Sequence, residues 1–145
     1  MRERRVVVTG LGILCPSGNS IQESWTNILN GYSGVRNIDY FDTEDFDTKF
    51  AGCLKNFETE DFLEKKEIRR TDKFIQYGLI AATQCALDSG LDSGTFDPKR
   101  VGVAIGSGIG GLGTIEENKE KLNLKGAKKI SPFFVPGSIS NMVSG

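Results

Sequence analysis

The chain has 145 residues, the size of one domain built on one core. Its 18 basic and 19 acidic residues leave a formal charge of −1, so nothing global points to nucleic acid or an anionic membrane, and any basic site must be local. There is no histidine, which excludes a Ser-His or Cys-His nucleophile pair and a histidine general base within these residues.

Arg2, Arg4 and Arg5 precede an apolar segment that is short, is broken by Gly10, Gly12 and Pro16, and is β-branched at Val6 to Val8. It reads as a first strand, Val6 to Gly12 (VVVTGLG), and not as a secretory signal. No run approaches the roughly eighteen apolar residues that span a bilayer, so a soluble, cytoplasmic protein is expected. Cys15 to Gly18 is a loop, and Ser20 caps a helix from near Ile21, with Glu23 in its first turn and Ile21, Trp25, Ile28 and Leu29 on one face. Gly31 stops it. Asn37 to Asp47 (NIDYFDTEDFD) is an irregular surface loop whose Tyr40, Phe41 and Phe46 tuck inward, and Lys49 to Leu54 is a short strand.

A helix is expected from about Glu60 to Arg70. A second runs from Thr71 or Asp72 to Asp88, with Phe74, Ile75, Leu79, Cys85 and Ala86 at helical spacing, and Gly78 and the alanines admit a close packing partner. If the first helix continues, Lys66, Arg69, Arg70 and Lys73 stand at i, i+3, i+4 and i+7 on one face. That stripe is either a docking site for something acidic or a solvated face neutralised by Glu64, Glu67 and Asp72. Lys125, Lys128 and Lys129 form a second basic group. Ser89-Gly90 ends the long helix, and Asp92 to Lys99 is a loop. The cysteines, Cys15, Cys53 and Cys85, are far apart with no CxxC, so each reads as a small apolar core residue and a zinc site would need an unusual ligand set.

Arg100 to Gly113 (RVGVAIGSGIGGLG) follows, a buried strand running into five glycines. Leu112 to Leu122 is rich in helix formers, with Glu116 and Glu117 early and Lys119, Lys121 and Lys125 late, as a helix dipole favours. Gly106-x-Gly108-x-x-Gly111 fits the dinucleotide-binding fingerprint, in the strand-to-helix context it requires. The acidic residue that the fingerprint asks for about twenty positions on is missing, since no carboxylate follows Glu120. The alternative is a tight turn that packs helix on sheet. Pro132 and Pro136 hold Phe133-Phe134-Val135 extended, and a new helical pattern starts near Ser138 with Ile139, Met142 and Val143. The sequence stops inside that apolar run without a cap, as the front part of a longer chain would.

VVVTGLG at Val6 to Gly12, FAG at Phe50 to Gly52, FIQYG at Phe74 to Gly78, AIGSGIGGL at Ala104 to Leu112 and KISPFFVP at Lys129 to Pro136 closely resemble the elongating β-ketoacyl-[acyl-carrier-protein] synthases of bacterial type II fatty acid synthesis. The resemblance is closest to the synthase II branch and runs from end to end of the chain. It implies an α/β, thiolase-like fold with α-β-α-β-α layers in a homodimer, of which these residues are only the beginning of the N-terminal half. It also implies decarboxylative Claisen condensation of malonyl-acyl carrier protein with an acyl chain held on a cysteine at a strand-to-helix elbow, assisted by two histidines and no metal or other cofactor.

In that family the nucleophile lies shortly beyond this chain's last residues, so residues 1–145 would be a partial N-terminal ketosynthase domain with no catalytic residue of its own. Cys15, Cys53 and Cys85 do not occupy the elbow. By resemblance, Ile109 lies at the mouth of the acyl-chain pocket with Gly108 and Gly110 giving the chain room, and Phe134 helps close the pocket of the opposite subunit. Lys66, Arg69 and Arg70 match the patch that meets the acyl carrier protein, which brings phosphopantetheine-linked acyl and malonyl groups, and Lys128 and Lys129 match a second contact. The remaining readings are an inactive binding or assembly module and a dinucleotide-binding domain using Gly106, Gly108 and Gly111. Apart from its other half, the chain is expected to expose apolar surface on the long helix and at Ile139 to Val143.

Overall fold

The computed structural model describes residues 4–91, 94 and 96–145. Arg2 and part of the expected Asp92 to Lys99 loop lie outside the described residues. The chain divides into two compact units, residues 1–57 with 81–94 and residues 58–80 with 95–145. None of the described helices is long and apolar enough to cross a membrane.

In the first unit, helix α1 spans Ile21–Leu29 and starts where its cap requires. Ser20 is extended, and its hydroxyl accepts the Glu23 N–H at 3.2 Å. The helix ends in a Schellman motif, with the Gly31 N–H donating to Ile28 and the Tyr32 N–H to Asn27, and with Gly31 at φ +69°. Its expected apolar face is not covered: Trp25 is 59 % and Leu29 68 % exposed, while the buried residue is Ser24. The turn at Gly18 lies against Ser24, where a Cβ on Gly18 would stand 2.6 Å from the Ser24 nitrogen. Such a close approach needs small residues on both sides.

Strands β1 (Val35–Asn37) and β2 (Phe50–Gly52) form an antiparallel pair with Val35 opposite Gly52. Between them Tyr40, Phe41 and Phe46 do not tuck inward. They stack edge-on against one another, with centroids 5.0 and 5.5 Å apart, and remain exposed. Asp39, Asp42, Glu44, Asp45 and Asp47 need water, which keeps the loop outside, so the rings find each other there.

Val6 to Gly12 is not a strand, and its valines are exposed. A strand needs a neighbour to take its amides and carbonyls, and among the described residues β1 and β2 are used up on each other. The segment is instead held by helix α3 (Lys73–Ser89), whose residues from Ala81 onward belong to this unit. The Leu11 N–H donates to Asp88 Oδ2 at 2.8 Å and the Ile13 N–H to Gln84 Oε1 at 3.1 Å. Gly10 and Gly12 let the backbones touch, since a Cβ on Gly12 would lie 1.9 Å from the Ala81 carbonyl oxygen.

In the second unit the helix expected from Glu60 to Arg70 is broken into a 3-10 turn, Thr59–Asp61, and a short α2, Lys65–Ile68. Local side-chain bonds compete with a continuous helix there. Glu67 Oε2 accepts the Glu64 N–H at 3.1 Å, the Thr71 hydroxyl donates to the Glu67 carbonyl at 2.7 Å, and Asp72 caps α3. The first half of α3 buries Ile75 and Ile80, and Val143 is buried as well. As expected, Gly78 admits a close partner: a Cβ there would stand 2.5 Å from Val143 Cγ1.

Val101 to Ile105 forms no strand for the same reason as Val6 to Gly12, and the Ile105 N–H donates to Ser144 Oγ at 3.1 Å. Helix α4 spans Leu112–Lys125 and stops at Gly126 with φ +77°. The expected extended Phe133 to Val135 segment is a short helix, α5 (Phe134–Ser138), followed by a 3-10 turn at Ser140–Val143 in place of a longer helix. Pro136 is tolerated because an N–H in the first turn has no acceptor inside the helix. Of the apolar surface expected to be exposed, Leu87 on the long helix and Ile139 are exposed while Val143 is covered, and further exposed apolar residues lie on α1 and at Val6 to Val8.

The Gly12 contact generates a test. Gly12→Ala should cost about 2–3 kcal/mol of stability, because a backbone carbonyl cannot move aside as a side chain can. Thermal unfolding measures it, and an unchanged midpoint would contradict the packing of Gly12 on Ala81.

Candidate functional site

The second unit is pinned at one carboxylate. Asp72 Oδ1 accepts the Phe74 N–H at 3.3 Å, which caps α3, while Oδ2 accepts both the Thr114 N–H at 2.9 Å and the Thr114 hydroxyl at 2.7 Å, which caps α4. Two buried amides extend the network. Gln76 Nε2 donates to the Ile68 and Thr71 carbonyls, and Asn118 bridges the Thr114 carbonyl and the Ser131 N–H. Burial pushes the Tyr77 phenol up, and the Asp72 charge adds to it.

The glycine turn enters α4 from this anchor. Gly110 has φ +82°, and a Cβ there would stand 2.4 Å from the Ser138 carbonyl oxygen, which also accepts the Gly111 N–H at 2.8 Å. So the space beside Gly110 is taken by the Ser138 backbone, whereas Gly108 has nothing within 4 Å of a built Cβ. Ile109 stands between them, 72 % exposed. Phe134 is half-buried at the first position of α5.

The same turn tests the dinucleotide fingerprint. A pyrophosphate would need the free amides of the α4 N-terminus, yet the Thr114 amide there already faces the Asp72 carboxylate and the Gly111 amide a carbonyl. Gly111 thus packs against Ser138 and Asp72 at a helix start closed by an internal anion, while Gly106 and Gly108 stay open. Millimolar NAD should leave the unfolding midpoint unchanged, and a rise of several degrees would contradict this account.

Although α2 does not continue, Lys66, Arg69 and Arg70 do come together, around an open cleft that Phe133 completes. The Arg70 guanidinium lies 4.9 Å from the Phe133 ring centroid, a cation–π contact. Lys73, the fourth member of the stripe, opens α3 and does not line this cleft. The carboxylates expected to neutralise the stripe are engaged elsewhere, Glu67 on the Glu64 amide and Asp72 on two helix ends. Among the described residues the ion pairs are Arg36 with Asp39 at 3.4 Å and Lys121 with Glu117. Lys128 and Lys129 are exposed on a 3-10 turn, Ala127–Lys129, outside the cleft.

The cysteines are free and half-buried, so they are not the fully packed core residues expected. The Ser24 hydroxyl, 3.5 Å away, lowers the Cys15 thiol from its ordinary value against the opposing effect of burial. Cys85 lies within α3, its thiol 3.4 Å from the Gly10 carbonyl. The sequence reading missed Asp72 as a double cap and the buried amides of Gln76 and Asn118. An aspartate immediately before a helix is the signal for the first, and a polar amide at a core-facing helical position is the only signal for the others.

The family model described as β-ketoacyl synthase, N-terminal domain, matches residues 3–145. The chain belongs to the β-ketoacyl synthase family. It is 52 % identical over 145 residues to the 3-oxoacyl-[acyl-carrier-protein] synthase 2 of Vibrio cholerae, all of this chain and 35 % of that protein. It is 45 % identical over 144 residues to the synthase 2 of Staphylococcus aureus, again 35 % of its length. The chain therefore spans about a third of the curated relatives it matches.

Among solved structures it is similar to a type II PKS acyl-carrier protein in complex with its ketosynthase bound to the hexaketide, with a TM-score of 0.79, 25 % identity, and coverage of 99 % of this chain and 37 % of the other. A β-ketoacyl synthase from Burkholderia phymatum matches in fold, at TM-score 0.77 and 21 % identity over 98 % of this chain and 35 % of that one. The fold class is the expected ketosynthase, thiolase-like one, with only a two-stranded sheet among the described residues.

Proposed function

We propose that this chain is the N-terminal part of a 3-oxoacyl-[acyl-carrier-protein] synthase that elongates fatty acyl chains, and that it supplies acyl-pocket wall and carrier-docking surface. The observation that carries the reading is 52 % identity to such a synthase along all 145 residues. In the proposed reaction a malonyl group on the carrier loses CO2, and the resulting carbanion attacks an acyl thioester on a cysteine beyond residue 145. A carbon–carbon bond forms as the carbon–sulfur bond breaks and the thiolate leaves.

Lys66, Arg69 and Arg70 meet acidic residues of the acyl carrier protein, with Lys128 and Lys129 as a second contact. The first three gather on one cleft with no carboxylate paired to them among the described residues, which favours a docking role over a neutralised face. A neighbour in fold solved as a carrier protein in complex with its ketosynthase supports the same partner. Ile109, with open space at Gly108, forms the mouth of the acyl pocket. Gly110 contributes by letting the turn close on Ser138, and Phe134 serves the pocket of a second subunit in a cytoplasmic homodimer.

In the full-length protein, Lys66→Glu with Arg69→Glu should weaken carrier affinity about tenfold, or about 1.4 kcal/mol, at low ionic strength. This pair leaves Arg70 on Phe133. The difference should shrink with added salt, and turnover of a small thioester should change by less than about twofold. Unchanged carrier affinity at low salt would overturn the docking assignment.

A further inference from the structure

We infer that Asp72 is a positioning residue for acyl-chain discrimination: its carboxylate fixes the start of α4 and, through it, the backbone of the turn that presents Ile109. The inference rests on the proposed place of Ile109 at the acyl pocket and adds to it the group that holds Ile109 there.

Ile109 has little to hold it directly. It is 72 % exposed, and a Cβ built on neighbouring Gly108 meets nothing within 4 Å. Its position is therefore passed along the backbone from Gly110 and Gly111. Those two are fixed from two sides. On one side the Ser138 carbonyl takes the Gly111 amide, and Ser107 Oγ accepts the Gly110 N–H at 3.0 Å. On the other side stands Asp72, whose Oδ2 takes two donors from Thr114 in the first turn of α4. Its Cβ lies 3.0 Å from where a Gly111 Cβ would be, so the turn and the aspartate are in contact as well as bonded through Thr114.

A charged acceptor shared by a backbone amide and a hydroxyl forms stronger bonds than a neutral one. Because Oδ1 of the same group caps α3, the first turn of α4 is referenced to the long helix and not merely to its own loop. Thr114 Oγ1 supplies a donor that can be deleted without touching the carboxylate, which gives an independent handle on the same bond.

The test uses the full-length protein and compares Asp72→Asn, Thr114→Val and Thr114→Ser with wild type. The readouts are the kcat/KM ratio for a short-chain against a long-chain acyl-carrier substrate, the affinity for the carrier, and the unfolding midpoint. Asp72→Asn offers an amide N–H where an acceptor is needed, and Thr114→Val removes one donor. Both should shift the chain-length ratio in the same direction by about threefold or more, as expected when a small misplacement of a positioning group alters the fit of the reacting chain. Thr114→Ser, which keeps the donor, should retain the wild-type ratio. Carrier affinity should stay within about twofold, since the docking cations are untouched.

A lowered midpoint with an unchanged ratio in Asp72→Asn and Thr114→Val would overturn the inference and leave Asp72 a structural cap. Should Asp72→Asn fail to fold, the Thr114→Val and Thr114→Ser pair decides alone. Absence of condensation product from the wild-type protein is a different failure: it removes the proposed function, and the inference falls with it.

Discussion

The Asp72 carboxylate is the constraint on which the second unit depends. Helix N-termini carry unsatisfied amides and a positive end of the dipole, and here one anion answers two of them. That economy has consequences on both sides. Toward the glycine turn, it fills the place where an outside anion would bind, so a loop with nucleotide-binding spacing serves packing. Toward α2, it removes from the basic stripe a carboxylate that would otherwise have quenched it.

The basic cleft follows from the same allocation of acids. Glu67 is turned back on the Glu64 amide and Asp72 on the helix ends, so Lys66, Arg69 and Arg70 form no ion pair among the described residues, and Arg70 lies against the Phe133 ring. An aromatic beneath a guanidinium orients the charge outward and limits its rotamers. Cations held this way favour a partner that brings its own carboxylates, which is the basis of the proposed docking of a carrier protein. The basic cleft and the Ile109 turn then belong to one unit and share the 68–72 connection at their root.

Elements whose signals are local were legible in the sequence. Helix α1 is capped at Ser20 and stopped at Gly31, and α3 stops at Gly90, because a cap or a left-handed glycine acts within a few residues. Strands were not legible in this way. Val6 to Gly12 and Val101 to Ile105 have strand composition, but composition cannot supply the neighbour that a ladder requires, and each segment is held by side chains of helix or turn residues. The break expected between Arg70 and Asp72 is present, made by side-chain to backbone bonds of Thr71 and Asp72, whereas the interruption at Phe62 to Glu64 inside the expected Glu60 to Arg70 helix escaped a spacing argument. Three members of the stripe meet all the same, brought together by a turn and by Phe133 instead of by a continuous helix face. At the glycine turn the pattern marked the right residues, whereas the division of labour between open Gly108 and packed Gly110 needed the Ser138 backbone to be in view.

The most direct test of the central claim is to supply the full-length protein with an acyl group and a malonyl group, each on acyl carrier protein, and to follow the products by mass spectrometry. The account predicts release of CO2 and a carrier-bound 3-oxoacyl chain longer by one malonyl-derived unit. Folded full-length protein that leaves both thioesters unchanged, or hydrolyses them without forming a carbon–carbon bond, would contradict it.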